Sequence, residues 1–155
     1  MPFDNFQNFD VEMIFRLLLG IALGASIGFE RELKHRPAGL RTHMLVSLGA
    51  CVFAVSSLSF DIDPSRIAAG IVAGIGFLGA GTIIAHKGHV KGITSAATLW
   101  VVASIGLASG IGEYYIAIIS AMSVFLILRF EKIEKQIESP TNSSENNITK
   151  KNDSE

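Results

Sequence analysis

The chain is dominated by long stretches that carry no ionisable side chain. Four of them contain no Asp, Glu, Lys, Arg or His: Met44–Phe60, Ile67–Ala85, Ile93–Gly112 and Tyr114–Leu128. A fifth, Val11–Phe29, is charged only at Glu12 and Arg16. Apolar runs of about 17–20 residues are long enough to cross a hydrocarbon core roughly 30 Å thick. With only 17% charged residues in 155, these runs leave no room for a water-soluble core.

The runs do not alternate between polar and apolar residues, which favours helices over barrel strands, because backbone hydrogen bonds in lipid must close internally. The sequence therefore predicts an all-α polytopic membrane protein with about five transmembrane helices. The predicted spans are residues 11–29, 44–60, 67–85, 93–110 and 114–130. Residues 1–10 are predicted to be a short external segment. Residues 131–155 are predicted to be a cytoplasmic helix extension, ended by Pro140, and a disordered polar tail.

The distribution of basic residues predicts the orientation. Only Arg16 and Arg66 flank one side of the predicted spans, whereas nine basic residues flank the other: Arg31, Lys34, Arg36, Arg41, Lys87, Lys91, Arg129, Lys132 and Lys135. Because cytoplasmic loops carry the excess of Lys and Arg, we expect the N-terminus outside and the C-terminus inside. Arg16 enters the first span from outside, where it is expected to pair with Glu12 one turn earlier.

Glycine recurs at four-residue spacing on several predicted helices. Gly20, Gly24 and Gly28 on the first helix, and Gly106 and Gly110 on the fourth, predict faces that allow close helix approach, within one chain or in a homo-oligomer. The third helix is predicted to be kinked, unwound or closely packed, and to line a cavity, because it holds five glycines: Gly70, Gly74, Gly76, Gly79 and Gly81. Thr94, Thr98 and Trp100 on the fourth helix are expected to support it. The G-x-G-x-x-G pattern starting at Gly74 is not a dinucleotide site, because it lies inside a span.

The predicted spans contain no carboxylate near their centres, which argues against a coupled cation carrier. We find no paired carboxylates and no nucleophile–base arrangement, so we expect neither an enzyme nor a cofactor. Four histidines fall on the predicted cytoplasmic face, at positions 35, 43, 86 and 89, but they are too few and too scattered to assign a metal.

The first cytoplasmic loop is the densest group of functional candidates: Glu30, Arg31, Glu32, Arg36, Arg41 and His43. Three interpretations remain open. The loop is a solvated basic segment beside anionic lipid, a surface for a protein or phosphate-bearing partner, or part of a histidine cluster that senses pH or binds metal. Ion pairs within it are expected to pin the loop to the helices.

Three sequence motifs resemble those of the MgtC/SapB family of membrane proteins, which is also known as SrpB/YhiD. They are Glu30–Glu32 with Arg36–Val46, then Gly74–Gly81, then Val90–Ala97 with Trp100. The resemblance covers about Val11 to Phe130, and is to the short members that lack a C-terminal soluble domain. It implies a multi-pass protein of the bacterial inner membrane linked to magnesium homeostasis. It also implies a membrane-protein partner such as the ATP synthase or a transporter, and no nucleic acid.

These observations predict a non-enzymatic membrane protein that contacts the lipid bilayer and binds a membrane partner through its cytoplasmic face. The alternative is a small channel or transporter, for Mg²⁺ or another cation, with a path along the third and fourth helices.

Overall fold

The structure, a computed structural model, describes residues 6–59, 63–86 and 89–130. Within these ranges it contains five helices, α1 to α5, and two short strands, β1 and β2. Their bounds are α1 Phe6–Leu33, α2 Leu40–Ser59, α3 Pro64–Gly81, β1 Ile84–His86, β2 His89–Lys91, α4 Ile93–Ile111 and α5 Tyr114–Arg129. The predicted all-α membrane fold with five helices is therefore confirmed. Its orientation across the membrane stays a prediction, and residues 131–155 lie outside the described ranges.

Three of the helices, α1, α2 and α4, are long and apolar enough to cross a membrane, whereas α3 and α5 are shorter apolar helices. Large apolar side chains such as Phe53, Phe77 and Tyr115 remain more than half exposed. Such exposure is expected where the surrounding solvent is lipid, since lipid tails are as apolar as these side chains. The helices therefore contact the bilayer directly.

The chain divides into two compact units, Met1–Met122 and Ser123–Glu155. In the first, α2 packs most extensively, against α1 on one side and α4 on the other. The second contributes only the last turns of α5 to the described structure.

Glycine determines how closely α1 and α4 approach α2. A Cβ atom at Gly24 would lie 2.8 Å from the Ser47 Cβ, and one at Gly110 would lie 2.6 Å from the Ala54 Cβ. Because the backbones approach this closely, the Ser47 hydroxyl can donate to the Gly20 carbonyl oxygen at 2.7 Å. The small-residue faces predicted on the first and fourth helices are thus packing surfaces within one chain.

Arg16 connects α1 to the C-terminal end of α4. Its guanidinium pairs with the Glu12 carboxylate at 2.5 Å, as the sequence predicts, and also donates to the Gly110 carbonyl oxygen at 2.8 Å. The Tyr114 hydroxyl donates to the same Glu12 carboxylate at 3.2 Å. One charged pair near the start of α1 therefore fastens the end of α4 and the start of α5.

The third helix is α-helical throughout, so it is not unwound at its glycine residues, one of the three predicted alternatives. It begins with Pro64 after the N-cap residue Asp63. Hydrogen bonds from the Ser65 side chain and backbone amide hold the pKa of Asp63 below its usual value. The helix ends at Gly81, four residues before the predicted end of the span, where the Thr82 amide caps it.

An antiparallel hairpin follows α3, where the sequence predicted the end of the third span and a short connection to the fourth. Strands β1 and β2 pair Ile84 with Lys91 and His86 with His89. Gly92, at a φ of +95°, connects the hairpin to α4, and a side chain there would overlap the Thr82 carbonyl. The hairpin therefore joins the end of α3 to the start of α4 through a turn that requires glycine.

Candidate functional site

The corner between α1 and α2 has a defined backbone geometry. The amide of His35 donates to the Glu32 carbonyl at 2.9 Å, and the amide of Arg36 donates to the Arg31 carbonyl at 3.1 Å. This pair of bonds is a Schellman motif, which ends a helix with one residue in the left-handed region. Here that residue is His35, with a φ of +52°. The corner is therefore a structured helix end.

Glu32 closes the same corner from the other side. Its carboxylate accepts a hydrogen bond from the Leu40 amide at 2.9 Å, which satisfies the first free N–H group of α2. A side chain on Gly39 would occupy the space of this carboxylate, so glycine permits the contact. Ala38 is buried at the base of the corner. Glu32 thus fixes where α2 begins relative to α1.

Arg31 is the largest fully buried side chain among the described residues, with 1% of its surface exposed. Its Nη2 donates to the Ser95 hydroxyl in the first turn of α4, at 3.3 Å. The neighbouring Glu30 carboxylate forms an ion pair with Lys34 at 2.5 Å. The Arg31 guanidinium is attracted by the charge of Glu30 and repelled by the charge of Arg36. A permanent cation is therefore buried where α1 and α4 meet.

His43 lies beside Arg31 and is also fully buried. Its Nδ1 lies 2.9 Å from the Gly39 carbonyl oxygen, which can only accept, so Nδ1 carries a proton. Its Nε2 lies 3.3 Å from the Thr98 hydroxyl, and that hydroxyl is 2.9 Å from the Ser95 carbonyl oxygen. These contacts link α2 to α4 by side chains that are 55 positions apart. We call the group Arg31, His43, Ser95 and Thr98 the buried polar cluster.

The predicted loop residues thus separate into two groups. Arg31 and His43 are buried between helices, whereas Glu32 and Arg41 are exposed and Glu30 and Arg36 are half-buried. On α4, Thr98 belongs to the buried polar cluster, but Thr94 and Trp100 are exposed and lie outside it.

The predicted glycine residues of α3 do not act as one group. Gly70 and Gly74 line an apolar groove of about 490 Å³ between α2 and α3. Gly79 faces Ala96 of α4, and a Cβ at Gly79 would lie 3.5 Å from the Ala96 Cβ. A Cβ at Gly76 or Gly81 would meet no atom within 4 Å, so these two serve neither packing nor the groove.

Ser95, the hydrogen-bond partner of Arg31, was predicted only as a member of the Val90–Ala97 motif. Its signal was weak because Ser95 and Arg31 are 64 positions apart and no local periodicity connects them. Within residues 6–59, 63–86 and 89–130, no group of three His, Cys, Asp or Glu side chains converges as a metal site would require.

Comparisons with known proteins find a family model and several relatives that match this chain. A sequence model of the MgtC family matches residues 17–136. YhiD of Escherichia coli K12, named as a candidate magnesium transporter, is 41% identical over 127 residues, covering 76% of this chain and 59% of that protein. MgtC of Salmonella typhimurium LT2 is 52% identical over 102 residues, covering 65% of this chain and 44% of that protein.

MgtC of Brucella abortus strain 2308 is 50% identical over 107 residues, covering 68% of this chain and 44% of that protein. The chain thus spans about half the length of the curated relatives it matches. No solved structure matches it.

Proposed function

Because the chain belongs to the MgtC family, we propose that it is a non-enzymatic, magnesium-related protein of the bacterial inner membrane that binds a membrane-protein partner. The surface proposed for the partner is the α1–α2 corner, which presents His35, Arg41 and Thr42 as exposed side chains. The name of the Escherichia coli K12 relative supports the link to magnesium, and the geometry of the corner supports the proposed mode of action.

The observation that carries this proposal is the buried polar cluster beneath the corner. Arg31 ties the end of α1 to α4 through Ser95, and His43 ties the start of α2 to α4 through Thr98. A buried charge lowers the stability of the fold unless other groups compensate for it. Burial of an arginine is therefore weak evidence that the residue serves only to stabilise the fold. Its position supports a role in holding the exposed basic corner in one conformation, which lowers the entropic cost of binding a partner.

The same cation disfavours a magnesium path at this end of the helices. At 4 Å from the Arg31 guanidinium, each unit of positive charge would meet a repulsion of about 4 kcal/mol at an effective dielectric constant of 20. The other buried polar side chains here are hydroxyls and an imidazole rather than carboxylates, which are the ligands that Mg²⁺ prefers.

Magnesium transport is the second candidate function, because the Escherichia coli relative carries that name. A path along α3 and α4 has less support, since Gly79 already packs against Ala96. Replacing Gly79, which faces α4, with Leu is expected to abolish flux if such a path exists, whereas Gly76 faces away from α4 and its replacement with Leu is not.

The test compares site-specific crosslinking in native membranes for the wild type, Arg41→Ala and Arg66→Ala. Arg41 and Arg66 are both exposed, and Arg66 lies near the opposite helix ends, so it is the matched control. We expect Arg41→Ala alone to lose a reproducible crosslinked membrane protein. Rapid Mg²⁺ uptake by liposomes containing the purified chain, or equal crosslinking by both variants, would reject the proposal.

A second variant distinguishes a role of Arg31 in positioning the α1–α2 corner from a role in folding. Arg31→Met nearly keeps the side-chain volume, and it removes the desolvation cost of the buried charge together with the hydrogen bond to Ser95. We expect this variant to remain folded, as judged by its helical circular dichroism and melting temperature, and to crosslink the partner less efficiently. Full crosslinking by Arg31→Met would show that the cluster has no positioning role.

A further inference from the structure

The apolar groove between α2 and α3 has an unusual lining. Gly49 of α2 and Gly70 and Gly74 of α3 all line it, and no atom lies within 4 Å of the Cβ position at any of the three. The space therefore exists because side chains are missing there. Among the described residues that line the groove, Arg66 alone carries a charge, and it is exposed near the start of α3.

The dimensions of the groove distinguish between occupants. From Arg66 to Leu78 the groove follows α3 for twelve residue-to-residue steps, which is roughly 18 Å at 1.5 Å per step. That length is close to one leaflet of a hydrocarbon core about 30 Å thick. A partner helix about 10 Å across is wider than a groove between two neighbouring packed helices, so only its side chains would enter the groove.

We propose that this groove binds one phospholipid, with its phosphate at Arg66 and one acyl chain along Gly70 and Gly74. A guanidinium forms charge-assisted, bidentate hydrogen bonds with phosphate, so Arg66 complements the only charged part of the lipid that reaches this depth. The apolar lining complements the acyl chain. This site is separate from the α1–α2 corner and does not depend on the proposed partner.

The energetics of the bilayer explain which contacts would hold the lipid. Bulk lipid is as apolar as the groove, so the hydrophobic effect does not drive binding, and close packing and polar contacts must. Specific occupancy therefore depends on the Arg66–phosphate contact and on the room provided by the glycine residues. Both can be removed without touching the buried polar cluster.

The test uses the full chain in nanodiscs of phosphatidylcholine that contain a trace of a phospholipid with a photoactivatable acyl chain, and maps the crosslinks by mass spectrometry. We expect crosslinks to concentrate on groove residues such as Leu45, Phe53 and Leu78. Gly74→Leu should fill the groove and remove them. Gly76→Leu is the matched control, because Gly76 is also an open glycine of α3 but does not line the groove.

The headgroup contact is tested in the same nanodiscs. Arg66→Gln should lower crosslinking by about tenfold or more, because it removes the charge and at least one hydrogen bond of the bidentate pair. A diacylglycerol probe with the same tails and no phosphate should label the wild type as weakly as the phospholipid labels Arg66→Gln. Melting temperatures of all variants identify any that fail to fold, and Gly49→Leu then replaces Gly74→Leu.

Three results would overturn the proposal. One is equal labelling of Gly74→Leu and Gly76→Leu. Another is labelling of the wild type spread evenly over the lipid-facing side chains. The third is labelling of the groove that is lost when two copies of the chain share one nanodisc, which would show that a second copy occupies the groove.

Discussion

Gly24→Ala is expected to destabilise the protein, whereas Gly20→Ala, one turn earlier on the same helix face, is not. A Cβ at Gly24 would lie 2.8 Å from the Ser47 Cβ and 2.9 Å from the His43 carbonyl oxygen. A Cβ at Gly20 would lie 3.5 Å from the Cys51 Cβ, which is ordinary van der Waals contact. Gly24→Ala must therefore push α1 and α2 apart by roughly half an ångström or distort the backbone.

The magnitude follows from comparing the two variants. Replacing glycine by alanine in a helix gains up to about 1 kcal/mol in helix propensity, and this gain is common to both positions. The difference between them is therefore the cost of overpacking, about 1–3 kcal/mol. The contacts at Gly24 include a backbone carbonyl, which cannot rotate away, so we expect a value in the upper half of that range.

The measurement is reversible unfolding of the full chain in mixed micelles with increasing dodecyl sulfate, followed by circular dichroism. Gly76→Ala provides a second control, because a Cβ there meets no atom within 4 Å. We expect Gly76→Ala and Gly20→Ala to be equally stable, and both variants to be considerably more stable than Gly24→Ala. If Gly24→Ala unfolds at the same dodecyl sulfate fraction as Gly20→Ala, the close approach of α1 and α2 described above is wrong.

Three further predictions concern helix ends. His35→Gly should stabilise the protein by about 1 kcal/mol by relieving the left-handed backbone, while His35→Ala should not, as thermal unfolding of both can show. Glu32→Ala should cost about 1 kcal/mol in the same assay, because the Leu40 amide loses its acceptor. Asp63→Ala should remove the pH dependence contributed by the α3 cap. Since hydrogen bonds from Ser65 lower the folded-state pKa of Asp63, the stability advantage of the wild type should be full above about pH 4. It should disappear as the pH falls through the lowered pKa, and an advantage that grows in acid would contradict this.

The membrane fold and part of the helix contacts could be predicted because they depend on local pattern. Runs of apolar residues must become helices in lipid, where each backbone group is satisfied within its own segment. The pairing of Arg16 with Glu12 also follows from a four-residue spacing on one helix. The spacing of Gly20, Gly24 and Gly28 likewise identified a packing face on α1 without identifying its partner.

The division of apolar and small residues between protein-facing and lipid-facing positions could not be predicted in this way. Hydropathy cannot separate the two, because lipid is as apolar as the protein interior. Gly24 and Gly70 look alike in sequence, yet one is pressed against Ser47 and the other borders an open groove.

The sequence also did not predict where the third helix ends. Residues 82–85 are apolar enough to continue a helix, but they belong to the turn and the hairpin that follow it. The buried polar cluster depends on tertiary structure most of all. Local pattern is sufficient to place Arg31 near a helix end, but its burial against Ser95 depends on the depth and rotation of α1 relative to α4. Those two quantities are set by interhelical packing, which no local pattern records.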